Sequence, residues 1–377
     1  MNPPPLPPFE LCKELYNTQH AYIGTIFAFL QPEDFLQRLR LVYNQELDLT
    51  QRDGRLYLCQ VLLVLAFGQM YSINRWTSPD GPPGFDYFKA ALDFLPDIHE
   101  RSSLRFIEVL ACVTYYMQTL GRQDAASTYI GVAMRMALFM GLHQDVAGDD
   151  MDVEENRQRR EVWWSLYSLD RILSIKSGNL ITIRDEDITT PFPKVDPRNP
   201  NVPWYMLVML QYTELSRILG KIGLELCRRR PKSTTTLLAS VQDIMNSLSS
   251  WARSVPERLR IDPNSTGGDF DGAAVSVYLL FYSCVAMNTR PILLYLVQQR
   301  IDVKTSIITI MEKARKLNLI ATSGYLDGEY AFSATLLLIM ANTSLPNSPS
   351  TDLSVNQGLG ILASMAERGN SNVTARR

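Results

Sequence analysis

The densest group of residues able to do chemistry runs from Arg159 to Arg171, Arg-Arg-Glu-Val-Trp-Trp-Ser-Leu-Tyr-Ser-Leu-Asp-Arg. On a helix Trp163, Tyr167 and Asp170 share one face at i, i+4 and i+7, which sets an acid on an aromatic stripe. A buried carboxylate without a partner is costly, so Asp170 must find a donor. Arg135 in the preceding helical segment, or a backbone amide, would serve. Asp170 is then either a ligand-contacting acid or a structural polar contact, and the structural reading is preferred.

Other candidates thin out on inspection. The three histidines are His20, His99 and His143. His143 follows Gly141-Leu142, where an imidazole can bond the last carbonyls of a helix and complement its dipole; that capping role is favoured over catalysis. No His-Glu-x-x-His, Gly-x-Ser-x-Gly or phosphate-loop motif occurs. Gly358-x-Gly360-x-x-Ala363 imitates a dinucleotide turn but follows no strand, so it reads as a helix start containing glycines. The acids Asp149, Asp150, Asp152, Glu154 and Glu155 invite a comparison with the magnesium-binding aspartates of isoprenoid cyclases. Their spacing does not keep a ligand set on one helix face, and a solvated loop is the simpler reading. Arg228-Arg229-Arg230-Pro231-Lys232 is a compact basic run, read as a helix end in preference to an import signal or phosphate contact.

Composition narrows the class further. The 377 residues are 46% hydrophobic and 20% charged, enough for a large core and too apolar for wholesale disorder. The net charge of -2 lacks the basic surplus of a domain that grips DNA through its phosphates. Five cysteines, at 12, 59, 112, 227 and 284, form no Cys-x-x-Cys and read as reduced, buried thiols rather than metal ligands. The N-terminus lacks the basic and apolar regions of a secretion signal. The most apolar stretches, Leu56–Ile73 and Ala273–Met287, are interrupted or short and read as core helices, not membrane spans.

The elements that position these residues are helical. In Leu104–Tyr115 the apolar residues Leu104, Ile107, Leu110, Ala111 and Tyr115 line one face. Similar patterns run approximately over Phe9–Leu30, Arg55–Ile73, Arg122–Met140, Asn156–Ile175, Tyr205–Arg228, Thr235–Arg253, Ala273–Gln299, Val303–Ala321, Tyr330–Asn342 and Val355–Arg368. Leu180–Ile183 comes nearest to a strand, so the expected class is all-α. Residues 1–8 hold five of the 21 prolines and predict an extended tail. Residues 9–377 predict one large domain, interrupted by an acidic loop at 145–155, a proline-rich connector at 189–203 and a linker at 256–272. The connector should pack back across the aromatic helix through Phe192 and Trp204, where Asp170 and Arg135 could anchor a small apolar ligand.

The stretch Ala133–Pro193 resembles the central signature of the fungal-specific transcription factor domain, the middle homology region of fungal zinc-cluster regulators. Ala133-Met134-Arg135-Met136-Ala137 leads to Gly141-Leu142-His143-Gln144-Asp145. After the acidic loop come Arg159-Arg160-x-x-Trp163-Trp164, Leu169-Asp170-Arg171, Gly178, Ile183-x-Asp185-x-Asp187 and Pro191-Phe192-Pro193. The resemblance implies a regulatory domain in transcription, nuclear and otherwise cytoplasmic, whose signature residues are structural, with no catalytic, cofactor or metal residue. The implied partners are the transcription machinery or another regulator, with a small-molecule effector and homo- or heterodimerisation also open. DNA would be met only indirectly or through a missing N-terminal domain, because the six cysteines of the family's zinc cluster are not in this sequence. The chain is therefore expected to start at the regulatory domain. An all-α enzyme acting on a small apolar metabolite such as an isoprenoid is the alternative. One departure is Gly178-Asn179-Leu180, where the family often carries a basic residue and proline; this implies a looser turn.

Overall fold

A computed structural model describes residues 4–374, apart from 31, 45, 74–80, 146–151, 194–201, 227–233, 262–270, 297–324 and 345–348. Among the described residues the structure is helical and contains no strand, so the all-α class holds. Leu180–Ile183 is irregular. The chain divides into two compact units, Met1–Asp170 with Thr182–Lys194, and Arg171–Ile181 with Val195–Arg377.

The first unit contains α1 (Phe9–Gln19), α2 (Pro32–Tyr43), α3 (Arg52–Ile73), α4 (Phe85–Phe94), α5 (Leu104–Thr119), α6 (Gln123–Phe139) and most of α7 (Val153–Ser177). Helix α3 is apolar on every side, and every residue from Leu58 to Gly68 is buried. Such a helix is stable only when enclosed, and α1, α2, α4 and α5 all pack against it. It is long and apolar enough to cross a membrane, but 78% of that stretch is buried inside the fold. At Gly68 a Cβ would stand 2.5 Å from the Leu15 carbonyl oxygen, so only glycine lets α1 approach this closely. Tyr16 stacks on Phe35 at 4.4 Å and Phe88 on Tyr116 at 4.0 Å, fastening α1 to α2 and α4 to α5.

Helices α2 and α4 were not anticipated. Phe35, Leu36, Leu39 and Val42 of α2 do keep helical spacing, but over a segment of only twelve residues that opens on Pro32-Glu33-Asp34. Helix α4 follows Asp80-Gly81-Pro82-Pro83-Gly84, a run of turn residues that masks the ten residues behind it.

The second unit contains the end of α7, α8 (Trp204–Glu225), α9 (Thr234–Ser254), α10 (Gly272–Leu296), α11 (Tyr325–Ser344), α12 (Pro349–Glu367) and α13 (Ser371–Thr374). Helices α8, α9 and α10 pack on one another, and α11 lies against α10 and α12. Val241, Ile244, Leu248 and Trp251 form the buried stripe of α9. Gly358 and Gly360 lie inside α12, which opens at Pro349, so they do not mark a helix start. The expected helix over Val303–Ala321 and the basic run at 228–232 lie outside the described residues.

The expected irregular segments are partly ordered. Residues 4–8 lie outside any helix, and Pro8, just before α1, has the extended dihedrals φ -52°, ψ 145°. Helix α7 takes up the last three residues of the 145–155 loop, and the 256–272 linker contains a 3-10 turn, Glu257–Leu259. Four cysteines carry free thiols, with Cys12, Cys59 and Cys284 buried; Cys227 lies outside the described residues.

Candidate functional site

Helix α6 ends and α7 begins within the first unit, and the residues around these ends meet. Gly141 has φ +69°, the left-handed conformation that ends helices. Its amide donates to Leu138 O at 3.0 Å and the Leu142 amide to Ala137 O at 3.0 Å, closing a Schellman cap. Leu142 is buried. The Arg159 guanidinium takes the next terminal carbonyl, Met140 O, at 2.8 Å. The imidazole of His143 does not cap α6; it lies beside Trp163, ring centroids 5.9 Å apart. The His143 backbone is what bonds, its carbonyl accepting the amides of Thr189 and Thr190, each at 2.9 Å. Thr189 Oγ1 in turn accepts the Asp145 amide at 3.0 Å, and Arg160 pairs with Asp145 at 3.4 Å. The turn after α6 is thereby tied to the segment beyond α7.

Along α7 the aromatic stripe holds the same segment. Trp163, Tyr167 and Asp170 are all essentially inaccessible. Trp164 Nε1 donates to Pro191 O at 2.9 Å and its ring meets Phe192 edge-on at 5.1 Å. Pro193 follows, half-buried. The Tyr167 hydroxyl donates to Asp185 at 2.8 Å, in the 3-10 turn Asp185–Asp187. Asp170 accepts the Thr182 hydroxyl at 2.7 Å and the Thr182 amide at 3.3 Å. The backbone-amide partner expected for Asp170 is therefore present. The alternative, Arg135, is solvent-exposed on α6, so the anticipated Asp170–Arg135 anchor for a ligand does not form. The connector packs back on α7 through Pro191 and Phe192; Trp204 instead opens α8, with the Arg258 guanidinium 5.7 Å from its ring.

Two signature residues belong to the second unit. Arg171 is fully buried and lies across α8 at Gly220, where a Cβ would come within 3.0 Å of its Nε. Gly178, with φ +70°, closes α7: its amide donates to Ile175 O at 3.2 Å and the Asn179 amide to Ser174 O at 2.8 Å. The looser turn expected from Asn179 is not found; the Schellman cap needs only the glycine and a following N–H.

A second constellation escaped sequence reading. Glu108 of α5 is buried, 3% exposed. It accepts Gln60 Nε2 of α3 at 3.0 Å and Gln158 Nε2 of α7 at 3.2 Å. Gln60 passes the contact on, accepting Arg38 Nη1 of α2 at 2.6 Å. Arg38 and Arg105 both stand over the Tyr57 ring, at 5.4 and 4.1 Å. Burial pushes the Glu108 carboxyl up to about 7 against the opposing pull of Arg38 and Arg105. Gln60 and Glu108 each interrupt an otherwise apolar helix face, the one signal by which the network could have been suspected. It joins four helices and can carry a proton, but among the described residues no ready nucleophile adjoins it: Cys112, one turn on, is pushed up to about 12 by burial and the nearby carboxylate. Of the acidic run, Asp149 and Asp150 lie outside the described residues and Glu154 is engaged by Arg157 at 2.9 Å.

A family profile described as fungal specific transcription factor domain matches residues 20–253, more than half of the chain. The chain belongs to that family. The domain is similar over 96% of its length to an uncharacterized transcriptional regulatory protein of Schizosaccharomyces pombe, 21% identical and 48% covered. It is 23% identical to the thiamine repressible genes regulatory protein thi1 of the same yeast, over 76% of this chain and 38% of that protein. With activator of stress genes 1 of Saccharomyces cerevisiae the identity is 22%, over 77% and 32%. The chain thus spans about half or less of the length of these regulators. No solved structure matches the domain. The isoprenoid-type enzyme alternative finds no support among these relatives.

Proposed function

We propose that this chain is the regulatory module of a fungal transcription regulator, acting in the nucleus through protein partners of the transcription machinery or through a small-molecule effector, and performing no catalysis. The family membership carries this reading, because the relatives with printed roles are regulators of gene sets. The site supports it: among the described residues, the signature side chains from Arg159 to Pro193 cap helices and clamp a connector. The net charge of -2 supports a role in which sequence-specific DNA contact is made elsewhere.

The test is to fuse the whole chain to a heterologous DNA-binding domain above a reporter in yeast. Reporter output should change, in either direction, relative to the DNA-binding domain alone. A stably expressed, nuclear fusion that leaves the reporter unchanged, under every nutrient and stress condition tried, would overturn the reading.

A further inference from the structure

The proline-rich N-terminus is not a free tail. Residues 4–8 lie outside any helix and lead into α1; Pro8 has φ -52°, ψ 145°, the polyproline II region, and the rings of Pro4, Pro5 and Pro7 fix φ near the same value. That conformation makes no internal hydrogen bonds and leaves its carbonyls outward for another group to take. Two tyrosines take them. The Tyr43 hydroxyl at the end of α2 donates to Pro7 O, and the Tyr87 hydroxyl of α4 donates to Pro5 O at 3.3 Å. Cys12 Sγ adds a weak bond to Pro7 O at 3.6 Å, while Pro8 O is spent on the first turn of α1 through the Cys12 amide. Between the two prolines Leu6 packs on the core cluster of Cys12, Phe35 and Leu39. Phe9 closes the end of the groove, edge-on to Tyr43 at 5.5 Å.

Tyrosine hydroxyls reaching prolyl carbonyls across an aromatic floor, with an aliphatic side chain seated between, make up the chemistry by which proline-rich peptides are recognised in trans. The occupant here is lightly held. Pro4, Pro5, Pro7 and Pro8 have no N–H to offer, so the strap makes no backbone donor bond at those positions. Pro5 and Pro8 remain exposed. The groove therefore reads a conformation, and any chain already stiffened into it loses little entropy on binding.

We propose that the Tyr43–Tyr87 groove is a polyproline II receptor, occupied in cis by Pro4–Pro8, that accepts a proline-rich segment of a partner protein when this strap lifts.

The probe is a fluorescent peptide with the strap's own sequence, Met-Asn-Pro-Pro-Pro-Leu-Pro-Pro, titrated into the full chain by anisotropy. In the parent the tethered strap competes at an effective concentration in the millimolar range, so binding should be weak. Leu6→Asp, which evicts the strap without altering the groove, should tighten peptide binding by about tenfold or more. Adding Tyr43→Phe and Tyr87→Phe should reverse that gain. Should Leu6→Asp lose its helical circular dichroism, Pro5→Gly with Pro7→Gly lifts the strap by restoring its backbone freedom and serves in its place. Equal affinity in parent and strap variants, no binding to a folded strap variant, or indifference to the two hydroxyls would overturn the proposal. So would a concentration-dependent dimer of the parent that resists the peptide, since the groove would then belong to the strap of a second copy.

Discussion

Replacing Glu108 with glutamine should abolish one component of this protein's pH-dependent stability while preserving its shape. Glu108 is enclosed by α2, α3, α5 and α7, with its ordinary value of 4.5 displaced to about 7 because burial outweighs the attraction of Arg38 and Arg105. A carboxyl raised in the folded state favours folding while it keeps its proton. That contribution is complete below 4.5 and is lost as pH climbs through about 7, where the native state must bury a charge that the unfolded chain leaves in water. At about 1.4 kcal/mol for each pH unit between the two values, the parent loses roughly 3 kcal/mol across that window. Glutamine fills the same space without titrating. Its amide must face one of two donors: Gln60 cannot turn over, because its oxygen holds Arg38 at 2.6 Å, but half-buried Gln158 can. Urea denaturation of both proteins from pH 5 to pH 8.5 isolates the effect, since all other titrations cancel in the difference. The variant should match the parent to within about 1 kcal/mol at pH 5, and exceed it by about 2 kcal/mol at pH 8.5. A difference that stays flat with pH, or a variant that becomes weaker as pH rises, would refute the reasoning. The latter would mean that Arg38 and Arg105 hold an ionised Glu108 at a net gain.

Three further outcomes follow from the same geometry. Asp170→Ala removes a buried carboxylate and the two bonds it takes from exposed Thr182, which can turn to water, so it should lower stability by about 1–2 kcal/mol, read as a fall in thermal midpoint; a variant as stable as the parent would move Asp170 toward a ligand role. Gly178→Ala meets no atom within 4 Å, so its cost is conformational alone, about 1–2 kcal/mol for a left-handed alanine; a larger loss would show that the turn makes contacts beyond its cap. The whole chain should show no nanomolar, sequence-dependent binding to duplex DNA at physiological salt in a mobility-shift titration, given its net charge of -2.

What was legible in the sequence was periodicity and capping. The stripe Trp163, Tyr167, Asp170 could be placed on one buried face because helical spacing is rigid, and Gly141 and Gly178 could be placed at helix ends because a left-handed residue has few substitutes. Partners were less legible, because a pairing depends on where a loop returns. Asp170 needs a donor by simple electrostatics, and only the fold decides between Arg135, 35 residues before Asp170, and Thr182, twelve residues after it. The same limit hid Glu108, whose two glutamine partners lie 48 and 50 residues away. It also hid the strap, because proline content predicts an extended chain but carries no trace of the tyrosines, 36 and 82 residues distant, that hold it down. Local rules set each helix and its ends, whereas the polar contacts that make one arrangement of helices better than another are settled between residues far apart in the chain. One face of α7 shows this three times over: Trp164, Tyr167 and Asp170 each hold a partner on the returning connector, Pro191, Asp185 and Thr182, which lie 27, 18 and 12 residues further along the chain.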